Sequence, residues 1–238
     1  MSRKVRILLA VVGVICMAAA LSVRYVSRAM RQVQPFYQAA LEVDPQALAG
    51  ANQTMESRVA ALYSDATHQT TWQAAFSDTE VNGWLAVTLG EKYPDLLPEH
   101  VEAPRVAFTA GEVVAGFRYR DEHWNSVISV RAEAFVADTD LVGVRLLGAH
   151  AGTLPIPLAK VVEYISTAAR KQGWALRWTQ QEGDPVALIP LAGALSTASE
   201  RRRLETVELH DGELYLAGKT LPANEAKLAD QPVVPPRR

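Results

Sequence analysis

A seventeen-residue stretch without a charge, 7–23, lies near the start of this chain and constrains it more than any other feature. Arg3, Lys4 and Arg6 precede the stretch, and Arg24, Arg28 and Arg31 follow it. As a helix it spans roughly 25 Å, against a hydrocarbon core of about 30 Å, and Arg24 can snorkel to the headgroups. A cleaved signal peptide is the competing reading. Its apolar stretch is usually about 7–15 residues, however, and Ala18, Ala19 and Ala20 lie within this run rather than after it. Ile15 before Cys16 argues against a lipoprotein signal. The expectation is an uncleaved transmembrane anchor over 1–27, making a single-pass protein of the cell membrane with its C-terminal domain extracytoplasmic.

Without the anchor and a polar tail, roughly 190 residues remain, enough for one domain with its own core. The chain carries 24 basic and 26 acidic residues, so no single-sign field points to nucleic acid. Cys16 is the only cysteine and lies inside the apolar run. The remainder therefore has no disulfide, thiolate metal site or cysteine nucleophile, and its core alone must hold it together.

The pattern after the anchor predicts a helical spacer (28–67), an α+β exported domain (68–220) and a disordered, proline-rich tail (221–238). In the spacer, Pro35 suits a first helical turn, Asp44-Pro45 marks a restart, and Leu48, Met55, Val59 and Leu62 form a stripe. Ser77 and Glu80 fit a capping box ahead of Val81, Trp84, Leu85, Thr88 and Leu89. From Val101 to about Gly152 the period changes to two. Val113, Ala115, Phe117 and Tyr119 alternate with Val114, Gly116 and Arg118, and Ile128, Val130, Ala132 and Ala134 with Ser129, Arg131 and Glu133. Ala110-Gly111 and Asp138-Thr139-Asp140 read as turns in an antiparallel meander. Leu158 to Gln172 reads as a helix stopped by Gly173, with Val161, Val162, Ile165 and Ala169 on one face. Short strands follow, the last two joined at Asp211-Gly212. The fold class is thus α+β: an N-terminal transmembrane helix, then a curved antiparallel β-meander packed against two or three helices.

Chemistry is hard to find in this pattern. His68, His100, His123, His150 and His210 are scattered, and none has metal-ligand spacing. There is no nucleophile elbow or phosphate loop. Asp78 and Glu80 are explained by capping, and Arg201-Arg202-Arg203 reads as a solvated loop. Arg118, Arg120 and Arg131 read as a surface cluster paired with Glu133. No catalytic residue, metal or cofactor is expected, and the protein is read as not an enzyme. Trp72, Trp84, Trp124, Trp174 and Trp178 flank the predicted sheet or its helices. A curved sheet whose helices cover one face leaves the other free as a groove for an acyl chain. The groove candidates are Phe117, Tyr119, Ile128, Val130, Ala132, Val144 and Leu146.

Two segments resemble a known bacterial pattern. Phe76, Ser77, Glu80, Val81, Asn82, Trp84 and Leu85 resemble the strand-to-helix entry of YpmS-type membrane-anchored proteins. Gly152, Leu154, Pro155, Ile156 and Pro157 resemble the passage that leads into a later helix of that family. Such proteins are similar in outline to tubular lipid-binding domains, in which a curved sheet wraps a helix around acyl chains. The resemblance implies an envelope protein that binds a lipid or an envelope partner, and it supplies no active-site residues. The expected partners are the membrane, a lipid ligand and an envelope protein. The alternative is a membrane-tethered interaction or scaffolding module without a ligand.

Overall fold

The computed structural model describes residues 28–30, 32–122, 125–191 and 200–222. The expected anchor, Trp124, His123 and the tail beyond Pro222 lie outside the described residues. The architecture is α+β with antiparallel sheets. Helices α1 (Pro35–Leu41) and α2 (Pro45–His68) come first, with Asp44 capping α2 by accepting from the Gln46 and Ala47 amides. Strand β1 (Thr71–Ser77) enters α3 (Asp78–Ala86) through the expected capping box. A short α4 (Thr88–Lys92) and a 3-10 turn (Pro94–Leu96) follow. The meander then runs through β2 (Val101–Thr109), β3 (Glu112–Arg120), β4 (Asn125–Asp138) and β5 (Leu141–Ala151). After it come β6 (Leu154–Pro155), α5 (Leu158–Lys171), β7 (Arg177–Gln181), β8 (Asp184–Pro190), β9 (Glu200–His210) and β10 (Glu213–Pro222).

These strands make two sheets where the sequence pattern indicated one. The larger has the order β2-β3-β4-β5-β8-β7, with β6 on the end of β5. The smaller has the order β1-β10-β9, so β1 finds its partner at the far end of the described chain. Two hairpin tips lock the sheets together. The Gly111 amide donates to the Leu209 carbonyl (2.8 Å), Gly212 donates to Phe108 (3.0 Å), and the Ala110 amide donates to the Asp211 carboxylate (3.0 Å). At the other end Trp72, Ala66 and Leu204 form a buried cluster, against which Val136 and Val142 of the larger sheet pack.

Residues 32–67 pack along the domain through part of their length. Tyr37 is fully buried, and its hydroxyl donates to the Ala103 carbonyl at 2.9 Å. Arg105 is buried beside it and donates to the Ala40 carbonyl, near the end of α1. Burial raises the Tyr37 pKa, with Arg118 and Arg105 opposing the shift. Residues 28–30 are held more tightly still. The Thr153 amide and hydroxyl both donate to the Ala29 carbonyl, and the Ser126 hydroxyl donates to the Met30 carbonyl at 2.7 Å. Of the predicted α2 stripe, Leu48 is buried and Leu62 packs on the core cluster. Val59 is 46% exposed, although it lies on the same helix face as the buried Leu48 and Asn52.

Two arginine readings change. Arg202 is buried in β9 and donates to the Ala66 carbonyl (2.9 Å) and the Thr67 hydroxyl (3.0 Å), so it caps the C-terminal end of α2. Glu133 pairs with Arg145 at 2.6 Å, while Arg131 and Arg120 reach Glu112 and Glu102. Strand β10 continues through Leu221 and Pro222, past the start expected for the tail.

The segment resembling the YpmS pattern is a structural joint. Phe76 is buried, Ser77 and Glu80 close the capping box, and Glu80 also accepts from Arg58 at 2.8 Å. Asn82 uses both ends of its amide on Val106, donating to the carbonyl and accepting from the amide, each at 2.8 Å. That side chain stands in for a neighbouring strand on the β2 edge of the larger sheet. Asn82→Ala is expected to cost about 1–3 kcal/mol, because it orphans a donor and an acceptor together. Asn82→Asp will be no better, since a carboxylate cannot donate to Val106. Urea denaturation with an unchanged midpoint for both variants would remove this role.

Candidate functional site

Helix α5 is polar on one side and apolar on the other, and it lies across β5. Its C-terminal half is pinned from three directions. The Gln172 amide donates to the Asp95 carbonyl at 2.7 Å, and the Trp174 backbone amide to the Ala169 carbonyl at 2.9 Å. The Trp178 indole donates to the Ser166 hydroxyl at 2.8 Å, and that hydroxyl donates back to the Val162 carbonyl. These bonds fix the helix over the sheet without closing the space beneath it. A cavity of about 630 Å³ is left.

Val144 and Leu146 of β5 and Ala187 and Ile189 of β8 supply strand side chains to its wall. Ile165, Ala168 and Ala169 line it from α5, and Trp174, Leu176 and Trp178 from the segment that follows. Leu96 and Pro98 reach in from the loop after α4. No charged side chain lines this space among the described residues, and its polar groups are those of Tyr164 and Gln172 and the indole N–H groups of Trp174 and Trp178, the latter bonded to Ser166. The rim is unusually apolar for a surface, with Trp174 64% and Tyr164 40% exposed and Ile189 and Leu96 nearly as open. A second cavity of about 390 Å³ adjoins it and contains Asp95, Glu99, His100, Tyr119 and Lys171.

The seven groove candidates divide between these spaces and the neighbouring sheet. Val144 and Leu146 line the larger cavity, and Tyr119 lines the smaller. Phe117, Ile128, Val130 and Ala132 line neither. Register places them on the same sheet face: Phe117 pairs with Ile128, Val130 follows two residues on, and Ala132 pairs with Leu146. The site thus sits towards β8 and β7 rather than at the centre of the meander. Ile165, Trp174, Trp178, Ala187 and Ile189 were not among the candidates. For the first three the signal was available, since α5 is apolar on one face and two tryptophans follow it four residues apart.

No family model, curated protein or solved structure matches this chain. The site must therefore be read from its own chemistry. Among the described residues, no three histidine, cysteine or acidic side chains are grouped to hold a metal. The groove offers hydrocarbon contact over most of its wall, with few groups that could orient or polarise a substrate. What it can do is shelter apolar atoms from water, worth about 0.8 kcal/mol per methylene.

Proposed function

We propose that this is a membrane-tethered, non-catalytic envelope protein whose α+β domain holds the acyl chain of a lipid or lipid-like ligand beneath α5. The observation carrying the reading is the 630 Å³ cavity, apolar in its lining and open at a rim of half-exposed Trp174, Tyr164, Ile189 and Leu96. Its size falls within the range of about 300–1,000 Å³ usual for ligand sites. A rim of large apolar side chains left in water generally marks a binding surface.

Tethering rests on the basic–apolar–basic sequence of residues 3–31. Among the described residues no helix is long and apolar enough to cross a membrane, and residues 7–23 lie outside them. The docked 28–30 segment supports a short connection, which would keep the groove close to its lipid source. Among the described residues the polar lining of the groove comprises Tyr164, Gln172 and the indoles of Trp174 and Trp178, which favours holding a chain over acting on it.

The test uses the full chain kept soluble with an amphipathic polymer. Native mass spectrometry is expected to find a co-purified acyl lipid on the wild type. Ala168→Trp, which fills the groove from α5, should lower affinity for monopalmitoylglycerol by about tenfold or more with the fold intact by circular dichroism. Protein that is always empty, with tryptophan emission indifferent to monopalmitoylglycerol, would end the lipid reading.

A further inference from the structure

The two cavities at α5 are continuous in their walls. Leu96, Pro98, Tyr164, Ala168 and Gln172 line both, along the seam between the helix and the loop after α4. Across that seam the chemistry changes from hydrocarbon to charge of both signs. The smaller cavity brings together the ammonium of Lys171, the carboxylates of Asp95 and Glu99, and the hydroxyls of Tyr119 and Tyr164.

Several of these groups have unused binding capacity. Lys171 and the Asp95 carboxylate make no ion pair with a described residue, and neither tyrosine hydroxyl has a hydrogen-bond partner among them. His100 stacks edge-on against Tyr119, with ring centroids 5.8 Å apart, and braces that phenol at the cavity wall. Burial first, and then the nearness of Tyr119, raises the Tyr164 pKa.

We infer that the ligand is a zwitterionic single-chain amphiphile, with its tail in the apolar groove and a head bearing one anionic and one cationic group in the adjoining cavity. The inference rests on the groove reading above. A purely anionic head would face Asp95 and Glu99, and a purely cationic one would face Lys171. A head of both signs meets each with its opposite: the anion accepts from Lys171 and the tyrosine hydroxyls, and the ammonium lies near the carboxylates and the aromatic faces.

Trp174 and Trp178 line the groove and make intrinsic fluorescence a direct readout for the full chain. Four ligands of one chain length would be titrated: palmitoyl lysophosphatidylethanolamine, palmitate, hexadecyltrimethylammonium and monopalmitoylglycerol. The zwitterion is expected to bind about tenfold more tightly than each of the other three. Lys171→Gln and Asp95→Asn should each shrink that margin to about threefold or less, the margin being read within each variant against monopalmitoylglycerol. Equal affinity for all four, or a preference untouched by both variants, would overturn the head-group inference and leave the groove reading standing. Silence towards all four would remove the groove reading itself.

Discussion

Gly152→Val is expected to release Ala29, Met30 and Gln34 from the domain while leaving both sheets folded. Gly152 has φ +59°, where an L side chain costs about 1–2 kcal/mol. A Cβ there would also collide with the Ala29 carbonyl oxygen and lie 2.7 Å from that of Met30. Overpacking of this kind adds about 1–3 kcal/mol. The nearest escape is for the N-terminal segment to move, because β5 is paired on both sides and the segment is held mainly by hydrogen bonds. Those bonds are the Thr153 amide to Ala29 (3.0 Å), the Ser126 hydroxyl to Met30 (2.7 Å) and the Gln34 amide to Gly152 (3.2 Å). Hydrogen exchange checks this directly: the Thr153 amide should exchange about a hundredfold faster or more, with Leu146 and Val144 unchanged. Gly173→Ala is the control, since Gly173 has φ +68° with no atom within 4 Å of the added Cβ, and so meets the conformational cost alone. Wild-type protection at Thr153 in the valine variant would mean that the segment is not clamped.

This clamp was not visible in the sequence, and the reason is general. Periodicity reports which face of a segment is apolar, and it located the meander, α5 and the Asp211-Gly212 hairpin because those depend on near neighbours. It cannot report which distant segment covers that face. β1 pairs with β10 in the register Thr71 to Lys219, and nothing local to Trp72 or Phe76 encodes that choice. Arg202 was misread for a related reason. Three arginines in a row look solvated until the carbonyl-rich end of α2 is brought to the middle one. The groove was half legible: Val144 and Leu146 follow from strand alternation, whereas Ala187 and Ile189 come from a short strand that joins β5 only through the tertiary fold. Capping chemistry was the most legible feature of all, because Ser77 and Glu80 satisfy each other within one turn.

The joint between the two sheets gives the other large expected effect. Trp72 is 7% exposed and sits opposite Gly218 in the β1–β10 ladder, with its ring where a Cβ of that glycine would be. The same side chain anchors the cluster with Ala66 and Leu204 on which Val136 and Val142 rest. Trp72→Ala removes that shared volume and is expected to cost about 3–5 kcal/mol in denaturant unfolding. The indole nitrogen is buried without a hydrogen-bond partner among the described residues, so shape rather than hydrogen bonding makes tryptophan fit here. Trp72→Phe should therefore cost less than about 1.5 kcal/mol, since the lost volume is set against relief of an unsatisfied donor. Equal large losses in both variants would contradict the packing account, since phenylalanine keeps most of the buried apolar volume. If the cluster couples the sheets as its contacts indicate, the alanine variant will also loosen the hairpin clasp at Gly111 and Gly212, at the opposite end of the sheets. Faster exchange of both amides in that variant, against no change in Trp72→Phe, separates coupling between the sheets from damage confined to the cluster.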